Sequence, residues 1–142
     1  MSILESLLEE ASQSNIDVMD DDMSVPGMHA AYFVTDIGKC IMLRRDGTQA
    51  ERACWMAEEL GHHNTGCNSV LRYRSIADWK AEARARRWAH DRLLSYDAVM
   101  VAARNTDDIY EIAFSLDVSV EFLREAMDDY MARGLWQQAA GE

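Results

Sequence analysis

The chain has 142 residues, 49% apolar and 27% charged, with 14 Lys and Arg against 25 Asp and Glu and a formal charge of −11. That length and apolar content suit one domain that buries a core without staples and exclude a disordered chain. The acidic balance excludes a generally basic nucleic-acid binder, because phosphate contacts need Lys and Arg, and no apolar run approaches the ~20 residues of a membrane span.

In chain order, Ile3, Leu4, Leu7, Leu8 and Ala11 fall at helical spacing, so Ser2 to Gln13 is expected to be an amphipathic helix capped by Ser2. The acidic start lacks the features of a secretory signal. Asp20, Asp21 and Asp22 are expected in a solvated loop, and Pro26-Gly27 marks a turn. Ala30–Thr35 and Lys39–Arg44 are β-rich and read as a hairpin around Asp36-Ile37-Gly38. Thr48 can cap a helix to His63, with Ala50, Ala53, Cys54, Ala57 and Leu60 along one side. Asn64 to Asn68, with Gly66 inside, ends it.

Ser75 is expected to cap a long helix to about Leu94, with Ile76, Trp79, Ala83, Trp88 and Leu93 as core positions. Thr106–Ser115 and Ser119–Arg133 read as two helices joined by Leu116-Asp117-Val118, with Gly134 as the stop. Phe114, Leu116, Phe122, Leu123, Met127 and Tyr130 are the expected core residues there. The pair has helix-turn-helix length. Its second helix, however, sets Glu121, Glu125, Asp128 and Asp129 against Arg124 and Arg133, a polarity that repels phosphate. Charge is uneven along the chain. Residues 72–92 hold seven bases against three acids, and residues 1–38 hold eight acids and no Lys or Arg. The basic middle is expected to pack beside acidic neighbours. Cys40, Cys54 and Cys67 show no CxxC spacing, which points to a reducing cytoplasm. Cys54 is expected to be buried filler, and His29 and His90 structural or surface residues.

The chemistry concentrates in Glu58-Glu59-Leu60-Gly61-His62-His63. Residues four apart on a helix face the same way, so Glu58 pairs with His62 and Glu59 with His63. Zinc accepts both imidazole nitrogen and carboxylate oxygen. In the zinc-protease motif His-Glu-x-x-His the two His bind metal and the Glu is the general base. Here Glu59 keeps the base position and His62 the second ligand, while Glu58 replaces the first His. A carboxylate there adds negative charge and lowers the metal's Lewis acidity. Gly61 costs about 1 kcal/mol against Ala inside a helix, so a close approach or a bend is expected at that position. Glu82, on the next helix among small alanines, is a candidate third ligand. It is also placed to pair with Arg86 four residues on.

Ala57-Glu58-Glu59-Leu60-Gly61-His62-His63, followed by Glu82-Ala83-Arg84-Ala85-Arg86-Arg87-Trp88-Ala89, resembles the ImmA/IrrE family of metallo-endopeptidases. The likeness is to its short phage and mobile-element members, in which the first motif His is often Glu, and it covers roughly residues 28–132. It implies an α+β, mostly helical, zincin-like domain with a small β-hairpin or sheet. One domain would then span 1–142: an N-terminal helix and acidic loop over 1–27, a metalloprotease-like core over 28–95 and C-terminal helices over 96–142. Glu58, His62 and Glu82 would hold one zinc, or another divalent ion, and Glu59 would be the base. The implied activity is cleavage of a cytoplasmic protein in a bacterial or phage-infected cell, typically a DNA-binding helix-turn-helix repressor, with no direct contact to nucleic acid or membrane. The alternative is a protease-fold module without turnover that binds such a repressor through its acidic surface.

Overall fold

A computed structural model describes residues 1–66 and 76–135, with the side chains of the long middle helix described from Trp79 onward. The elements are α1 (Ile3–Gln13), β1 (Ile16–Asp21), β2 (Ala30–Thr35), β3 (Gly38–Arg44), α2 (Gln49–Asn64), α3 (Ile76–Leu93), α4 (Tyr96–Asn105), α5 (Ile109–Leu116) and α6 (Val120–Ala132). The α+β reading therefore holds: the chain is mostly helical with a small sheet. No described helix is long and apolar enough to cross a membrane.

Local sequence sets the helix starts. Ser2 and Thr48 each accept the backbone N–H three residues on, while Glu5 and Glu51 reach back to the cap N–H, so α1 and α2 both begin with a capping box. Ser95, Asp108 and Ser119 cap α4, α5 and α6. Asp117 ends α5 in the left-handed conformation (φ 61°), one that Asp tolerates better than most residues.

The hairpin forms as expected, with Tyr32 opposite Ile41 and Phe33 opposite Cys40. The expectation of a loop at Asp20 to Asp22 is corrected in part: Asp20 and Asp21 end a strand, β1, that pairs in parallel with β3 and gives the sheet order β1-β3-β2. A run of acids can end an exposed edge strand when bases sit nearby. Arg52 bonds to Asp20, and Arg45 reaches Asp22 at 3.9 Å. The sheet packs on α1 and α2, burying Ile16, Ala31, Tyr32, Ile41 and Leu43 against Leu4, Leu7, Met56, Ala57 and Leu60.

The far side of α2 lies along α3, and its small residues allow this. A Cβ on Gly61 would stand 2.3 Å from the carbonyl oxygen of Ala85, so only glycine fits the contact. The close approach expected at Gly61 is thus real. The expected core face of α3 needs correction. Trp79 is 69% exposed and Ala83 is exposed, while Ala85, Ala89 and His90 are buried. Trp88 and Leu93 are partly buried against the core. An alanine-rich helix carries little hydrophobic contrast, so its close-packed face is chosen by backbone approach rather than by its largest side chain. The Ser75 cap and Cys67 lie outside the described residues, as does the side chain of Ile76. Between α3 and the last two helices stands α4, which the sequence reading left out. Of the expected C-terminal core, Phe122, Leu123 and Tyr130 are buried and Leu116 and Met127 partly so, but Phe114 is 87% exposed. Cys54 is buried, as expected.

Candidate active site

The site lies where the C-terminal half of α2 meets β2 on one side and α3 on the other. Helical spacing brings Glu58, Glu59, His62 and His63 to the last turns of α2, and the Gly61–Ala85 contact draws α3 close enough for Glu82 to reach them. His62 Nε2 lies 2.8 Å from Glu82 Oε2. Glu82 is also held at its other oxygen by Arg86, four residues on, at 3.4 Å. The hydrogen bond from His62 keeps the Glu82 carboxyl below its usual value, against the opposing effect of burial.

Glu59 sits against the sheet. Arg44 N–H donates to the His29 carbonyl at 2.8 Å, which sets the antiparallel alternation. Ala31, Phe33 and Thr35 therefore pair with β3, while Ala30, Tyr32 and Val34 turn their backbone groups away from it. The Tyr32 backbone N–H serves the Glu59 carboxylate there. Glu59 Oε2 is buried with no hydrogen-bond partner among the described residues. Burial pushes the Glu59 carboxyl up to about 7, even though His62 and the Tyr32 N–H pull it down. Glu58 is raised to about 7 as well, by burial first and by Glu125, Glu59 and Glu82 after it, against the attraction of Arg86. Among the described residues, the last turns of α2 thus hold more carboxylate than nearby cations neutralise.

His63, which spacing alone pairs only with Glu59, has a further partner in the sheet. Tyr32 Oη lies 2.8 Å from His63 Nδ1, with the two rings edge to face. Tyr32 therefore touches the motif twice, through its backbone at Glu59 and its hydroxyl at His63. Only the β2 register could have revealed this, and a one-residue slip would reverse it. The two lone histidines take structural places: His29 stacks on Trp55 and His90 is buried between α3 and α6.

The donors suit a divalent ion chemically, since imidazole nitrogen and carboxylate oxygen are both zinc ligands. His62 and Glu82 meet, and among the described residues no group of three or more His, Cys, Asp or Glu side chains could hold a metal ion.

Comparison with known proteins bears on this arrangement. The family model of the IrrE N-terminal-like domain, a peptidase family, matches residues 11–128, which include both motif helices and the sheet. No curated protein and no solved structure matches the chain. A match over most of the length, with the motif residues gathered between α2, α3 and β2, shows that this chain belongs to the IrrE N-terminal-like peptidase family.

Proposed function

We propose that the chain is a metal-dependent endopeptidase acting on a cytoplasmic protein, with a helix-turn-helix repressor of a phage or mobile element as its substrate. The observation that carries this reading is the His62–Glu82 contact beside a half-buried Glu59 whose buried Oε2 has no partner among the described residues. His62 and Glu82 are the residues that would hold the metal, with Glu58 as the third ligand and zinc as the expected ion. When bound, the metal supplies Lewis-acid polarisation of the peptide carbonyl and acidifies a water.

The chain's own residues do the rest. Glu59, with a carboxyl poised at about 7, takes a proton from the attacking water at Oε2 and passes it to the leaving amine. The Tyr32 N–H orients that carboxylate. Tyr32 Oη holds the His63 ring at the same end of the strand.

Glu58 in place of the first motif His favours a second reading, a module that binds the repressor without cutting it. One experiment separates the two. The zinc-reconstituted protein is assayed for metal content and for cleavage of a purified helix-turn-helix repressor. About one equivalent of zinc and discrete fragments support the endopeptidase, provided both are lost when Glu82 becomes Ala. Less than roughly a tenth of an equivalent, with repressor bound intact, supports the module.

A further inference from the structure

The outer face of α5 is apolar where the fold makes no use of it. Phe114 is 87% exposed and Tyr110 is 65% exposed, and residues four apart on a helix lie side by side. Ile112 and Ala113 on the opposite side are buried, so the core fixes the rotation of α5 and the two aromatics cannot turn inward. Val101, 55% exposed, stands on α4, which packs against α5.

Acids surround these aromatics. Asp107 precedes the helix, Glu111 follows Tyr110 and Asp117 closes the helix, all three exposed. None of the three forms an ion pair among the described residues. Large exposed aromatics inside an unneutralised rim have the make-up of a binding patch.

We propose that this α5 face docks a basic amphipathic helix of a partner protein, one whose short apolar stripe is flanked by Lys and Arg. The apolar stripe would cover Tyr110 and Phe114, and the bases would answer Asp107, Glu111 and Asp117. A second copy fits poorly, because pairing the same face of two chains would bring the three acids of each together. An anionic lipid surface meets the same repulsion. The inference stands apart from the site chemistry, since it uses no residue of α2 or α3.

The test uses the full chain and two labelled synthetic helices of about five turns. Both carry Leu at i, i+3, i+4 and i+7; one has Lys and Arg at the remaining positions and the other has Glu. Fluorescence anisotropy is expected to show saturable binding of the basic peptide, at least roughly tenfold tighter than the acidic one. Phe114→Ala is expected to weaken it by roughly tenfold or more while leaving the thermal midpoint nearly unchanged. The double variant Asp107→Asn/Asp117→Asn is expected to weaken it and flatten its salt dependence. Absence of saturable binding, equal binding of the two peptides, or indifference to Phe114→Ala would overturn the proposal. So would self-association of the chain that Phe114→Ala abolishes without any peptide binding, or a preference for anionic vesicles over the basic peptide.

Discussion

Helix α3 makes two histidine–carboxylate contacts, one toward each end, and they differ in charge balance. Near its start, Glu82 meets His62 of α2 at 2.8 Å; near its end, His90 Nδ1 meets Asp129 of α6 at 3.0 Å. Both histidines are buried, at 7% and 4% exposure. Around Asp129 the cations prevail. Arg87 and Arg133 both bond to it, and Arg133 also takes Asp91 and lies over the Tyr130 ring. Burial raises the Asp129 carboxyl, but His90, Arg133 and Arg87 together hold it below the usual range. Among the described residues around His62 the acids prevail, with Glu58, Glu59 and Glu82 against Arg86, and two of those carboxyls are pushed up to about 7. The same pair of residue types thus stands in two charge settings, balanced by arginines at Asp129 and rich in carboxylates among the described residues at His62.

Four substitutions would break or sharpen this contrast. The largest effect is expected of Glu59→Gln, which removes the base and should lower repressor cleavage by about a thousandfold, read in single-turnover assays. Metal content should stay the same, and cleavage at the original rate would show that the proton moves elsewhere. Next comes Gly61→Ala. Its methyl would meet the Ala85 carbonyl at 2.3 Å, so α3 must move off α2 at a cost of about 2–3 kcal/mol in a urea melt. Zinc affinity should fall with it, because the same movement parts His62 from Glu82.

At the balanced end, Asp129→Ala leaves His90, Arg87 and Arg133 without their shared anion and should cost about 2 kcal/mol of stability. Zinc binding by calorimetry should be unaffected; a parallel loss would mean the two ends of α3 are coupled. The smallest effect is expected of Glu58→Gln in the metal-free protein. Burial raises the Glu58 carboxyl from about 4.5 to about 7, so the folded chain binds its proton more tightly than the unfolded chain does. That group therefore destabilises the fold increasingly as pH rises from about 4.5 through 7. Removing its charge should add about 1–2 kcal/mol at pH 8 and nothing at pH 4. Equal stability of both proteins at pH 8 would mean that Glu58 is solvated, and its excess of charge would then not bear on metal binding.

Much of the site was legible before folding was considered. The i,i+4 pairs of α2, the two capping boxes and the need for glycine at 61 are local properties, written in spacing and residue type. The hairpin was legible because alternation and turn residues lie close together in the chain. β1 was missed because its partner is a parallel strand more than twenty residues on, and Asp20 and Asp21 looked like loop until Arg45 and Arg52 stood opposite them. Phe114 and Trp79 read as core because they are large, whereas the buried faces of their helices are set by Ile112 and Ala113 and by Ala85 and Ala89.

The amino-acid order by itself determined which residues could carry chemistry and which helix turn would present them, because helical periodicity acts over four residues and needs no tertiary partner. Only the tertiary structure decided that Glu82 reaches His62, that Tyr32 serves Glu59 and His63 together, and that α5 turns its aromatics outward. Those outcomes depend on how closely two backbones approach and on which face of an alanine-rich helix or a short strand is covered, and such distances are set by elements far apart in the chain.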